Sequence, residues 1–272
     1  MQLEKALDWL KDAATDGAWG YLPQGTPRVE PTLHACAAGL PVPVGFLKSV
    51  DLDWGVLLAP AALSLSDGTE SLREAWIRRV LTLSGTPLPK TEHLDGSLVG
   101  WSWFTNTFSW LEPTSYATVS LVRNGHDGHA RVMEARALIR DRVCVDGGWN
   151  YGNKKVFGND LLSYHHSTAW ALLALPQGDS LVPQGIERLR KILQRPSTLS
   201  LSLATLAAGY HSIDPTPWVE ALVARQADDG SFGNGRVDRT ALAAGALRMM
   251  DTGLSPFTGM VSWNSEQGVE NE

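Results

Sequence analysis

A short phrase recurs at irregular intervals along the chain: an Asp-Gly pair, a small residue, an aromatic residue and often a glycine, followed by a loop and a helix rich in small residues. It stands at residues 16–20, 146–152 and 229–233, and in a looser form at 95–101. Internal repetition of this kind indicates a chain built from stacked copies of one small unit. The repeat therefore constrains the architecture before any single residue is considered.

Helical periodicity dominates the sequence, and it predicts about twelve helical segments. The segments fall into pairs, in which the first has a charged face and the second is rich in Ala, Ser, Leu and Gly. The charged segments are predicted at residues 2–14, 43–50, 70–83, 128–143, 182–194 and 215–226. The apolar segments are predicted at residues 31–40, 54–66, 113–123, 164–176, 197–211 and 239–251.

The contrast within each pair predicts where its two helices lie. A helix that is apolar all round is buried, and a helix with one charged face lies at the surface. We therefore predict an all-α fold, an α/α toroid (α6/α6 barrel) in which the apolar helices form an inner ring and the charged helices an outer one. An open solenoid of helix pairs is the alternative. We expect one toroid domain over residues 1–252 and an irregular tail over residues 253–272.

Composition limits the classes of function. The net charge of −6 argues against a nucleic-acid surface. The first helix is too charged for a signal peptide, and no apolar run approaches the length of a transmembrane segment. The cysteines, Cys36 and Cys144, have no paired spacing, so we expect a reduced, cytoplasmic setting. Tryptophan is abundant, with 11 residues against 6 Phe and 5 Tyr, and we expect these rings to pack against helix faces.

The Asp-Gly-aromatic phrase is itself typical of a turn. Glycine after aspartate readily takes a positive φ, which a tight turn requires. The aromatic ring that follows is suited to fill the gap between neighbouring hairpins. We therefore predict a structural role for the phrase, and we look for chemistry in the helices that follow it.

The predicted inner helices align on a recurrent threonine. The threonines are Thr32, Thr114, Thr168 and Thr240. Two positions before each stands an ionisable residue, and these are Glu30, Glu112, His166 and Asp238. Helix capping alone explains an acid at such a position. In a closed ring with parallel inner helices, however, the same positions meet at one mouth, so we take the four as candidate catalytic residues. In the fifth hairpin, Pro196 stands at this position.

These repeats resemble those of the terpene cyclase and protein prenyltransferase superfamily. Residues 109–114 and 146–175 look like prenyltransferase/squalene oxidase repeats, and residues 226–233 are similar to the Gln/Trp motif of squalene–hopene cyclases. The resemblance spans most of residues 1–251. It implies an α/α toroid whose centre holds an isoprenoid chain against aromatic walls. The candidate wall residues are His34, Trp54, Trp101, Trp103, Trp110, Tyr116 and Trp170.

The catalytic motifs that the resemblance implies are incomplete here. Squalene–hopene-type cyclases protonate an alkene with an Asp-x-Asp-Asp motif, and the nearest string, which contains Asp51 and Asp53, lacks the last aspartate. Protein prenyltransferase β-subunits hold zinc with an Asp-x-Cys triplet and a histidine, and here threonine stands in place of that cysteine. We therefore predict no cofactor and no metal.

Four residues nevertheless offer zinc-type ligands, namely His34, Cys36, His165 and His166. Their spacing is not a recognised metal pattern. Adjacent histidines on a helix point about 100° apart, so only one of the pair at 165 and 166 can face a given ion. Inner-helix packing and capping are the simpler interpretation of all four.

Three functions remain open at this point. The first is binding or transformation of an isoprenoid or other apolar ligand in the central cavity, in the manner of a cyclase (isomerase) or prenyltransferase. The second is a carbohydrate-active toroid with Glu30 and Glu112 as acid and base, which requires carboxyl groups roughly 5–10 Å apart. The third is a non-catalytic scaffold for a peptide or a partner subunit, which a centre filled by the protein's own side chains would favour.

Overall fold

The computed structural model describes residues 2–50, 54–64, 66–89 and 92–261, and within them the helices form six hairpins. The outer helices are α1 (Gln2–Asp12), α3 (Val44–Ser49), α5 (Glu70–Thr82), α7 (Ala130–Asp141), α9 (Val182–Arg190) and α11 (Thr216–Val223). The inner helices are α2 (Val29–Ala37), α4 (Ala59–Ala62), α6 (Leu111–Arg123), α8 (His165–Ala174), α10 (Thr198–Tyr210) and α12 (Val237–Thr252). A short 3-10 helix, Trp54–Leu57, precedes α4, and a second one, Lys191–Gln194, follows α9.

The inner helices form a closed ring. Each one contacts the next, from α2 through α4, α6, α8 and α10 to α12, and α12 returns to contact α2. The outer helix α1 also packs against α12, so the first and last hairpins meet. The predicted all-α toroid is therefore confirmed, and the open solenoid is excluded. No helix in the described part of the chain has both the length and the apolar character that a membrane crossing needs.

The recurrent threonine ties its inner helix to the turn before it. The hydroxyl oxygen of Thr32 accepts a hydrogen bond from the backbone N–H of Trp19 at 3.0 Å, and the hydroxyl donates to the Trp19 carbonyl at 3.1 Å. The hydroxyls of Thr114, Thr168 and Thr240 accept in the same way from the N–H groups of Trp101, Trp149 and Phe232. The Thr168 and Thr240 hydroxyls lie nearest to the carbonyls one turn earlier, at 2.7 and 2.9 Å, to which they donate. In each case the aromatic residue is that of the repeated phrase, and the threonine is fully buried. The threonine thus fixes the position of the turn relative to the helix start.

The indole rings of the phrase connect the same turns to the outer helices. The Nε1 atoms of Trp19, Trp101 and Trp149 donate hydrogen bonds of 2.7, 2.8 and 2.7 Å to backbone carbonyls near the C-terminal ends of α1, α5 and α7. The three carbonyls belong to the last turns of their helices, so each indole adds a hydrogen bond at a helix end. The structural role predicted for the phrase agrees with this arrangement.

The second hairpin is shorter than predicted. The apolar segment expected at residues 54–66 is a 3-10 helix followed by the single turn of α4. Pro60 lies in the first turn of α4, where a missing N–H is tolerated, and the helix ends at Ala62 before a serine-rich stretch. This hairpin therefore contacts its neighbours without presenting a long inner helix.

The region after α12 differs from the irregular tail predicted from residue 253. Strands β3 (Leu254–Ser255) and β4 (Gly259–Met260) pair as an antiparallel hairpin, like the surface strands β1 (Lys155–Val156) and β2 (Asn159–Asp160). Phe257, at the turn of the C-terminal hairpin, is buried against inner-ring side chains such as Trp170. This burial accounts for the regular structure of the hairpin. Residues 262–272 lie outside the described part of the chain.

Replacing the tying threonine should destabilise the fold more than replacing a neighbouring buried threonine. Thr114→Val leaves the Trp101 N–H without its acceptor, so we expect the free energy of unfolding in urea to fall by about 1–3 kcal/mol. Thr118→Val is the matched control. Thr118 is equally buried on the same helix, and its hydroxyl donates only to the Thr114 carbonyl one turn earlier. We expect the free energy of unfolding of the control to change by less than about 1 kcal/mol. Equal losses in the two variants would contradict the role of Thr114 in holding the turn to α6.

Candidate functional site

A cavity of about 420 Å³ opens at the end of the ring where the inner helices begin. Its wall has two layers, because residues four apart on a helix lie on the same face one turn apart. The upper layer consists of the second residue of five inner helices: Glu30, Glu112, His166, Leu199 and Asp238. The lower layer consists of the residues four positions later: His34, Tyr116, Trp170, Leu203 and Leu242. Trp103, Phe104 and Arg239 complete the lining.

The upper layer contains a close acid–imidazole pair that links α6 and α8. The Oε1 atom of Glu112 lies 3.1 Å from Nε2 of His166 and accepts a hydrogen bond of 2.9 Å from the Ser167 hydroxyl. The side chain of Glu112 is 13% exposed and that of His166 is 29% exposed. The imidazole also stacks on the ring of Tyr164. The pair is therefore held in place and still reaches the cavity.

The other two carboxylates of the upper layer are engaged where the first and sixth hairpins meet. Glu30 accepts a hydrogen bond from the Tyr21 hydroxyl. Asp238 is nearly buried and forms ion pairs with Arg236 and Arg239, at 2.9 and 3.3 Å. The Arg236 guanidinium in turn lies 5.2 Å from the centroid of the Tyr21 ring. These contacts fix both carboxylates at the mouth.

Aromatic rings dominate one side of the cavity. The rings of Tyr116 and Trp170 meet edge to face with centroids 4.4 Å apart, and Trp103 packs edge-on against Tyr116 at 5.9 Å. The buried ring of Phe257, which is not part of the cavity lining, packs against Trp170 with ring centroids 5.3 Å apart. Burial, together with the nearby charges of Glu112 and Glu30, raises the pKa of Tyr116 well above its usual value. The phenol is therefore neutral at ordinary pH.

His34 is the titratable residue of the lower layer on α2. It is 4% exposed and packs edge-on against Phe257, with ring centroids 6.3 Å apart. Burial lowers the pKa of His34 to about 4, with Asp238 acting to raise it and Arg239 to lower it. The imidazole is therefore neutral at pH 7, since removal from water disfavours its charged form.

The structure brings together most of the residues singled out from the sequence. The four candidate catalytic residues, Glu30, Glu112, His166 and Asp238, line one cavity. The candidate wall residues His34, Trp103, Tyr116 and Trp170 line it as well.

Two candidate wall residues, Trp101 and Trp110, are not placed there. Trp101 is fully buried between its turn and α5, so it packs the hairpin instead. Trp110 lines a separate outer groove of about 510 Å³, where it stacks on Phe108 and packs against Tyr151. The side chain of Trp54, like Asp51 and Asp53, lies outside what the structure describes.

The zinc-type residues are dispersed. His165 points away from the cavity and lies 3.1 Å from a guanidinium nitrogen of Arg188, whereas His166 faces Glu112. Burial raises the pKa of the Cys36 thiol to about 12, so it is not a thiolate at ordinary pH. Within the described ranges, no three His, Cys, Asp or Glu side chains are grouped as a metal ion requires.

The sequence-based prediction misses several lining residues. In the fifth hairpin the aligned position is Leu199, not Pro196, because α10 begins only at Thr198 after its cap Ser197. The spacing of four from Asp238 would have predicted Leu242, and the same spacing from Leu199 would have predicted Leu203. Phe104 has no such signal, since it lies outside the inner helices.

Comparison with known proteins supports the fold and adds little about chemistry. No protein-family model matches the chain, and neither does any curated protein sequence. A type II terpene cyclase from Scytonema, solved in complex with its product merosterolic acid A, superposes with a TM-score of 0.62 at 13% identity, over 91% of this chain and 95% of that one. The same cyclase in complex with its substrate geranylgeranyl dihydroxybenzoate gives 0.62 at 12% identity, over 90% and 95%.

A second kind of enzyme shares the fold. An inactive variant of an α-1,6-mannanase from Salegentibacter, in complex with α-1,6-mannotetrose, gives a TM-score of 0.61 at 8% identity, over 90% of this chain and 97% of that one. The likeness to the cyclase confirms the toroid that the repeats implied. Because the mannanase matches equally well, the fold alone does not separate isoprenoid from carbohydrate chemistry.

The buried neutral His34 should make the protein less stable in mild acid. The unfolded chain protonates this residue near the ordinary histidine pKa of 6.5, and the folded chain only near 4, so the unfolded state binds more protons between these values. We expect the wild type to lose about 3 kcal/mol more of its unfolding free energy than His34→Leu when the pH falls from 7 to 4. Urea titrations at several pH values measure this difference. Parallel pH profiles would mean that His34 titrates normally in the folded protein.

Proposed function

We propose that the protein binds an isoprenoid or a similar apolar ligand in the central cavity, with the polar end of the ligand at the mouth. The observation that carries the proposal is the polarity of the two layers. Ionisable side chains occupy four of the five upper positions, and aromatic or aliphatic side chains occupy four of the five lower ones. The cavity volume of about 420 Å³ falls within the range of small-molecule sites, roughly 300–1,000 Å³.

The bound states of the cyclase neighbour favour the same kind of ligand. Its substrate, geranylgeranyl dihydroxybenzoate, joins an apolar chain to a polar aromatic group. A molecule with that distribution of polarity matches a cavity with apolar lower walls and a charged mouth. Aromatic faces such as those of Tyr116 and Trp170 also attract positive charge, which would suit a carbocation that forms on the chain.

We assign proton transfer within this proposal to the upper layer. Nε2 of His166 lies 3.1 Å from Oε1 of Glu112 and both residues line the cavity, so they are the pair best placed to exchange a proton with a ligand. The charge of Asp238 is balanced by two arginines, and Glu30 is held by Tyr21. Their role in the proposal is to orient the polar end of the ligand.

The scaffold and carbohydrate hypotheses are less well supported. The ring encloses an open cavity of about 420 Å³, which a scaffold does not require. A sugar would expose hydroxyl groups to Leu203 and Leu242, which offer no hydrogen bonds. Burying such groups without partners is unfavourable.

Equilibrium dialysis with radiolabelled farnesol and geranylgeraniol tests the proposal. We expect the wild type to bind at least one of them, and Leu199→Trp to reduce the affinity about tenfold or more, because the indole occupies the mouth of the cavity. Leu193→Trp is the matched control, since Leu193 is exposed on the outer surface, and it should bind like the wild type.

The ligand panel separates the alternatives. Failure of both prenyl alcohols to bind, or binding that Leu199→Trp and Leu193→Trp leave equally unchanged, would remove the isoprenoid proposal. Binding of α-1,6-mannotetrose that Leu199→Trp abolishes would favour the carbohydrate hypothesis instead.

A further inference from the structure

We propose that His34 donates a hydrogen bond to an oxygen atom on the part of the ligand that enters the lower layer, so that the ligand is an oxygenated isoprenoid and not a plain hydrocarbon chain. The inference rests on the proposed function and narrows its substrate class. The inferred hydrogen bond is to the buried end of the ligand, whereas the proposed function places the opposite, polar end at the mouth.

The position of His34 places an imidazole among apolar side chains. It lies one helical turn below Glu30 on α2 and lines the cavity in the same layer as Trp170 and Leu242. A purely apolar ligand would be matched better by an aliphatic side chain here. Burying a polar ring in such a layer is unfavourable unless something hydrogen-bonds to it.

The hydrogen-bonding state of the ring is the second observation. Nδ1 of His34 is shut off from solvent and has no hydrogen-bond partner among the described residues. Nε2 is therefore the nitrogen left to meet a ligand. A ligand in the cavity cannot reach the enclosed Nδ1, so the hydrogen bond that it can add to this buried ring is at Nε2, and most buried polar side-chain atoms in proteins do have a partner.

The proton position follows from the same geometry. A neutral imidazole carries one N–H donor and one acceptor nitrogen. Placing the proton on the enclosed Nδ1 would bury a donor with no acceptor, so the proton belongs on Nε2. The complementary ligand atom is then an acceptor, such as the oxygen of an epoxide, a carbonyl or an ether.

Farnesol and its terminal epoxide test the inference as a matched pair. The two molecules share the hydroxyl end and differ by one oxygen at the far end of the chain. We expect the wild type to bind the epoxide about three- to tenfold more tightly than farnesol, which is the effect of one buried hydrogen bond. Equilibrium dialysis with each compound measures the ratio of the two dissociation constants.

Two variants identify His34 as the cause. His34→Leu should bring the ratio to about one, and His34→Gln, whose amide N–H can reach a similar position, should keep part of the preference. Circular dichroism checks that both variants fold. Because the ratio compares two ligands on the same protein, a general loss of stability would not by itself change it.

The outcomes separate this inference from the proposed function. A wild type that binds both compounds alike, as it would if His34 held only a water molecule, overturns the inference and leaves the isoprenoid site standing. A preference that persists in His34→Leu also overturns it. If neither compound binds, the proposed function itself fails.

Discussion

The architecture of this toroid depends on one small contact, the hydrogen bond that a buried threonine hydroxyl accepts from the backbone N–H of the aromatic residue in the preceding turn. The contact occurs in four hairpins and sets where each inner helix begins relative to its turn. Because the helix starts are set in the same way, their second residues meet at one mouth. The cavity is thus a consequence of a repeated packing device.

The sequence predicts the upper layer well because the threonine is visible in it. Two residues before a recurrent threonine stand upper-layer residues such as Glu30 and Asp238. Two residues after each threonine stands a lower-layer residue, because the two layers are four residues apart on each helix. The prediction of Trp101 as a wall residue is wrong because Trp101 is the aromatic of the repeated phrase, and that membership indicates a packing role. The burial of Phe257 could not be predicted, since it depends on contacts with His34 and Trp170 from two different inner helices.

The upper and lower layers of the cavity differ in polarity. Ionisable groups lie at the mouth, where Glu112 and His166 are in contact with each other and both are partly exposed. The lower layer is mostly apolar, and burial keeps Tyr116 and His34 uncharged at neutral pH. This separation suits a ligand that is polar at one end, and in the proposed function it places Glu112 and His166, as the proton-exchanging pair, beside an aromatic wall.

A crystal structure of the protein in complex with geranylgeraniol tests the central claim most directly. The account predicts that the chain contacts Tyr116 and Trp170 and that the hydroxyl lies within hydrogen-bond distance, about 3 Å, of Glu112 or His166. An ordered alcohol in the outer groove beside Trp110, with none in the central cavity, would contradict it.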